Sequence, residues 1–214
     1  MPTPVPTPVL RLIHVENLDT VLRRAALHAT NHVPNDGLPY RTIHNVDIQN
    51  ERHVRTMPRG PGDTLHDYVP FYFGYLSPML LQLKTNRVPG YNEGQAPLIY
   101  LVSTAQAMAT AGCRYVFSNG HGIAAFTEWF DDLGRLDAVD WSMVYERYWS
   151  DNVNDMDRQR RKQAEFLVYQ SCPWTAIGEI VVVNQAAKTG VETILARFDQ
   201  ALHRPVSIRP GWYY

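Results

Sequence analysis

The stretch Arg158–Gln170, RQRRKQAEFLVYQ, places four cations in five positions and then turns apolar and β-branched or aromatic. Its second half reads as a strand. Side chains two apart on a strand share a face, so Gln163 and Glu165 are expected to project together, with Ala164, Phe166 and Val168 opposite. A carboxylate on an inward face needs partners, because burying an unpaired charge is costly. Two readings are open: the solvated polar face of an edge strand, which the spacing alone favours, or an acid held in a cleft. The run before it, Arg158, Arg160, Arg161 and Lys162, is either a solvated face or a cationic loop beside an active-site acid, suited to a polyanion.

Outward from this strand, VLRLIHV reads as a first strand. Asn17 is placed to cap a helix with Leu18, Val21, Leu22 and Ala25 on one face. From His32 to about Asp63 the chain is rich in Pro, Gly, Asn and Arg, the mark of a functional or disordered segment. YVPFYFGYL is strand-like, and SPMLLQL starts a helix with Ser77 as cap and Pro78 at its first position. PLIYLV is predicted as a buried strand capped into a helix by Ser103, and RYVFS as another strand. EIVVVN, a helix over about 185–200 capped by Asn184, and a strand in RPVSIRPGWYY complete the pattern. No regular βα repeat or Gly-rich dinucleotide fingerprint occurs, which predicts an α+β fold in a single domain, 1–214.

The 214 residues suffice for a sizeable core. A net charge of -1 excludes a global pull toward nucleic acid, so any anion site is local. Seventeen of the 20 cations are Arg, the residue that forks onto phosphates and base edges. Two cysteines, Cys113 and Cys172, exclude a disulfide framework. With no charged-then-apolar leader and no run of eighteen apolar residues, the chain reads as cytoplasmic and unanchored.

Other candidates for chemistry lie along the chain. In LHDYVPFYFGYLSPM, alternation sets Phe71, Phe73 and Tyr75 on one face and Tyr72 on the other, where a ring opposite a carboxylate can stack a heteroaromatic group. His66 and Asp67 have no second pair at ligand spacing, so no metal site is expected. His121 sits between glycines that permit close backbone approach, and Arg52 and Arg55 fall within the irregular segment.

In this order, RLIHVENL, IQNERHVR, LHDYVPFYFGYLSPML, FSNGHG, RKQAEFLVY and GWYY resemble the DarT family from about residue 8 onward. These are toxins that ADP-ribosylate bases in single-stranded DNA and are paired with a macrodomain antitoxin, DarG. The resemblance implies an ADP-ribosyltransferase fold, like that of poly-ADP-ribose polymerases, with a split β-sheet gripping NAD+ as co-substrate and peripheral helices. It implies Glu165 and Arg52 as catalytic residues. Leu10, Arg11, Leu12, His14, Leu18, Arg52, Tyr72 and Ser77 are its implied NAD+ contacts, and residues 34–53 an element folded over that molecule. His121, Gln163, Arg158, Arg160 and Arg161 fall on the DNA side. The implied reaction joins ADP-ribose to N3 of thymidine, without metal, in a monomer. A guanosine- or RNA-modifying relative is the alternative enzyme, and a non-catalytic nucleic-acid-binding module on the same fold is the alternative class.

Overall fold

The computed structural model describes residues 1–214. In chain order its elements are β1 (Pro8–His14), α1 (Asn17–Arg24), β2 (Ala26–His28), α2 (Val46–Val54), β3 (Tyr68–Tyr72), α3 (Pro78–Lys84), β4 (Leu98–Thr104), α4 (Ala105–Thr110), β5 (Tyr115–Ser118) and β6 (Trp129–Phe130). They continue with α5 (Trp141–Tyr145), α6 (Arg158–Lys162), β7 (Glu165–Tyr169), β8 (Ser171–Pro173), β9 (Glu179–Val182), α7 (Gln185–Leu195) and β10 (Val206–Ile208). The strands form one sheet in the order β10-β9-β4-β1-β3-β7-β5-β6, antiparallel except for β10 beside β9, and a small pair β2-β8.

The expected split lies in the middle of the large sheet. β1 pairs with β4 along its whole length, and β3 pairs with β7 along its whole length. β1 and β3 meet only at Leu10 and Tyr72. Pro70 supplies a local reason. Its carbonyl accepts from Arg11 Nη1 at 3.0 Å and so faces β1. The N–H that proline lacks belongs to that same edge, and the ladder cannot continue there. The two halves are therefore joined at one point and open beside it, rather than being separate sheets.

Alternation along the strands builds the walls. Phe71, Phe73, Phe166 and Val168 enter the main core beneath the sheet, with Leu18, Val21 and Leu22 of α1. Tyr75 departs from the expected face: beyond Gly74 the chain turns, and its ring stacks on Trp212 instead. Several local expectations are also revised. Asn17 does not cap α1; its side chain is committed to Arg41, as described below. Ala25 is exposed in a left-handed conformation that ends the helix. Thr104, not Ser103, caps α4, because Ser103 Oγ donates to the carbonyl of Ala176 at 2.5 Å. Ser77 and Asn184 cap as expected. No helix is long and apolar enough to cross a membrane.

Candidate active site

Gln163 and Glu165 do not share a strand face, since β7 begins at Glu165 and Gln163 ends α6. Both nevertheless line a cleft of about 550 Å³ where the sheet opens, a size within the roughly 300–1,000 Å³ of ligand sites. The acid is not at a solvated edge. Glu165 is 1% exposed, its carboxylate oxygens accepting from Arg52 Nη1 at 3.1 and 2.9 Å. The backbone N–H of Gly122 adds a third bond at 3.2 Å. A side chain at 122 would crowd this approach, because a Cβ there would lie 3.3 Å from Leu65 and Trp129 and 3.4 Å from Glu165 Oε1. The glycines around His121 thus allow close approach to protein groups: Gly122 to the carboxylate, and Gly120 to the side chain of Arg160.

Arg52 is the one buried residue of α2, the helix that Asn45 caps inside the irregular segment. It is 6% exposed, and its Nη2 is buried without a hydrogen-bond partner. On the cleft wall, Arg11 Nε is likewise a buried donor without an acceptor. Buried donors are normally satisfied, so these two nitrogens suit a ligand bearing anionic or carbonyl oxygens. Tyr72 is the register partner of Glu165 across β3 and β7, as the inward tyrosine required. Burial, reinforced by the neighbouring carboxylate, pushes its phenol up to about 12, so it presents a neutral ring. His121 lies on the same wall, and burial, aided by Arg52, holds its imidazole below the ordinary range despite Glu165.

The segment before α2 is strapped across the cleft from α1. Asn17 Nδ2 donates to the Arg41 carbonyl and Arg41 N–H donates to Asn17 Oδ1, both at 2.7 Å. Thr20 Oγ donates to the Pro39 carbonyl at 2.6 Å, and Arg24 pairs with Asp36. Ile43, His44 and Gln49 are brought to the cleft in this way; the irregular spacing of this segment hid them.

Of the expected cofactor residues, Arg11, Leu12, Arg52 and Tyr72 line the cleft. Leu10 forms the hinge pair with Tyr72, and Leu18 is buried in the main core. His14 is buried beside Arg41, Glu16 and Glu93. Ser77 is buried outside the cleft lining, where its hydroxyl accepts from Leu80 N–H as the cap of α3. His66 and Asp67 part company: His66 meets Gln49 at 3.1 Å, while Asp67 accepts from Asn31 and from the backbone of Asp63 and Thr64. No group of three His, Cys, Asp or Glu side chains is arranged to hold a metal.

On the DNA side, His121 and Gln163 face the cleft, whereas Arg158, Arg160 and Arg161 do not. Those arginines have internal partners. Arg158 donates to the Ser150 and Tyr148 carbonyls, and Arg160 to Asp157 and to Asn119. Arg161 pairs with Asp140 and Asp155. Lys162, the last of the run, is buried and donates to the carbonyls of Tyr75, Val144 and Glu146 at 3.0, 2.7 and 2.8 Å. A run that resembles a cationic face is mostly consumed in holding its own segment together.

Comparison with known proteins agrees with this geometry. A family model described as ssDNA thymidine ADP-ribosyltransferase, DarT, matches residues 10–214. The chain is 40% identical over 211 residues to the DNA ADP-ribosyl transferase of Thermus sp. (strain 2.9), spanning 99% of this chain and 98% of that one. The solved structure of Thermus sp. 2.9 DarT in complex with ADP-ribosylated ssDNA matches with a TM-score of 0.93 at 39% identity, over 100% of this chain and 99% of that one. The same protein in complex with NAD+ matches at 0.87 and 38% identity, over 100% of both chains. A family match from the first strand to the last residue, with a relative similar over its whole length, leaves one assignment: the chain belongs to the DarT family of NAD+-dependent, single-stranded-DNA ADP-ribosyltransferases.

Proposed function

We propose that this chain transfers ADP-ribose from NAD+ to N3 of a thymine in single-stranded DNA, releasing nicotinamide, with Glu165 and Arg52 as the chemical pair. The observation that carries this reading is the buried Arg52–Glu165 contact at the split of the sheet, opposite Tyr72. NAD+ supplies the ADP-ribosyl group and a nicotinamide leaving group. Positive charge grows on the ribose as that bond breaks, and the carboxylate of Glu165, bonded to the ribose 2′-OH, stabilises it. Preorganised charge of this kind is commonly the largest catalytic term. Glu165 is preorganised because Arg52 and Gly122 already fix both of its oxygens.

Tyr72, neutral and facing the acid, stacks the nicotinamide ring. The unpartnered donors of Arg52 and Arg11 receive oxygen atoms of the dinucleotide or of the base. Arg52 stays charged throughout, since a guanidinium does not deprotonate in proteins. Its part is to stabilise the thymine anion while the N3 proton leaves to Glu165 or water. N3 is engaged in a base pair, so an unpaired strand spares the enzyme an unstacking cost. His121 and Gln163 orient the base, and the paired arginines of α6 act by fixing the segment that presents it.

The wider role we infer is that of a toxin acting in the cytoplasm as a single-domain monomer and restrained by a macrodomain antitoxin. Incubation with NAD+ and single-stranded oligonucleotides, followed by digestion to nucleosides, tests the chemistry. Thymidine is expected to carry the ADP-ribose. Label on guanosine, or on RNA alone, overturns the acceptor assignment, and a lack of NAD+ consumption with every oligonucleotide overturns catalysis.

A further inference from the structure

Beside the cleft lies a second, shallower groove of about 330 Å³, lined by Glu51, Val54, Arg55, Thr56 and Ile123. Ile123 belongs to the walls of both, so the groove continues the cleft outward over its lip. Resting on the function proposed above, we propose that this groove seats the nucleotide adjacent to the target base. Its base lies on Val54 and Ile123, and its phosphate on Arg55.

Three features support this placement. First, Arg52 and Arg55 are three apart at the end of α2, a spacing that sets neighbours on one helix side. They stand about 4.5 Å apart along the helix axis. The cation that touches the catalytic acid and the one in the groove therefore lie in succession, as consecutive nucleotides require. Second, Arg55 has no carboxylate partner: its one side-chain bond runs from Nη2 to the Ala124 carbonyl at 3.5 Å, the limit of such a contact. Arg160 and Arg161, by contrast, are neutralised by acids. A phosphate at Arg55 displaces no existing ion pair.

Third, the apolar lining is open to solvent at Val54, which is 72% exposed. Ile123 is half-buried within a turn closed by Ala124 N–H and Thr127 Oγ on the His121 carbonyl, and just beyond the groove Phe126 is 87% exposed. Apolar surface next to an isolated cation is the composition of sites that stack unpaired bases while tracking a backbone. Glu51, the one acid in the groove, is exposed and forms no ion pair with Arg55.

The test pairs a protein change with a substrate change. Arg55→Ala, at a half-buried position, and Val54→Asp, at an exposed one, both checked for an unchanged melting temperature, are assayed for kcat/KM on an intact oligonucleotide. The same assay uses oligonucleotides with an abasic site just 5′ or 3′ of the target. For wild type, one of the two abasic substrates is expected to lose roughly tenfold or more, the scale of one base-stacking contact. Val54→Asp is expected to show that loss already on intact DNA and no further loss on that abasic substrate. The groove assignment is overturned if both variants retain the wild-type kcat/KM for intact DNA, or if their losses multiply with those of both abasic substrates. Failure of wild type to modify any oligonucleotide overturns the transferase reading itself, an outcome readily told apart from these.

Discussion

At the scale of single residues, the site rests on two opposite charges removed from water together. Breaking a buried pair by removing one partner costs about 3–5 kcal/mol, because the other charge is left uncompensated. Glu165→Ala is therefore expected to abolish transfer and also to destabilise the protein by that order in denaturant titrations, with Arg52 stranded. Glu165→Gln keeps the volume and an acceptor oxygen; it is expected to remain folded and bind NAD+ in calorimetry yet transfer nothing. A Glu165→Gln protein modifying DNA at the wild-type rate refutes the role given to the carboxylate. The spacing around Glu165 favoured a solvated edge, and only the resemblance of the surrounding motifs marked it as catalytic; its partner was not legible at all. Arg52 is 113 positions away, and no local pattern encodes that contact.

Among the elements, α6 changes meaning most. Its residues Arg158, Arg160 and Arg161 read as a phosphate-binding run, yet acids at 140, 155 and 157 and nearby carbonyls take their donors. Lys162 ties this helix to the chain following β3 and to the end of α5. The fit there is tight, since a Cβ on Gly74 would fall 2.4 Å from the Val144 carbonyl that Lys162 reaches. Burial lowers the Lys162 ammonium to about 8. Lys162→Met strips one donor from three carbonyls, and unsatisfied buried groups cost about 1–3 kcal/mol each, so a loss of roughly 3 kcal/mol is expected. In a chain of this size that is a melting-temperature drop of about 6–12 °C. An unchanged melting temperature contradicts the pinning role of Lys162.

For the whole molecule, acid and salt act in ways the fold dictates. His14, His28, His44, His66 and His121 are all held below their ordinary value of 6.5, chiefly by burial. The unfolded chain takes up those protons near pH 6.5, whereas the folded chain resists them to lower pH. Below 6.5 the unfolded state binds more protons, so stability falls as pH falls. The melting temperature is expected to be lower at pH 5.5 than at pH 7.5, and equal values refute the burial of these imidazoles. Salt should matter less than the arginine count suggests. Each phosphate contact to a single strand contributes a slope of about −0.7 in log K against log salt, and one or two free cations give roughly −0.7 to −1.4. A slope near −3 in filter-binding titrations means that the ion pairs of α6 open to meet DNA.

The sequence by itself determined most of the strands, the inward set Phe71, Phe73, Phe166 and Val168, and the capping residues Ser77 and Asn184, because period and propensity are local properties. Only the tertiary structure decided the rest. It set the single junction at Leu10 and Tyr72, the burial of Arg52 against Glu165, the strap held by Asn17, and the internal use of the α6 cations. Those outcomes depend on which distant groups share a desolvated space, and charge pairing there is fixed by proximity in three dimensions rather than by spacing along the chain.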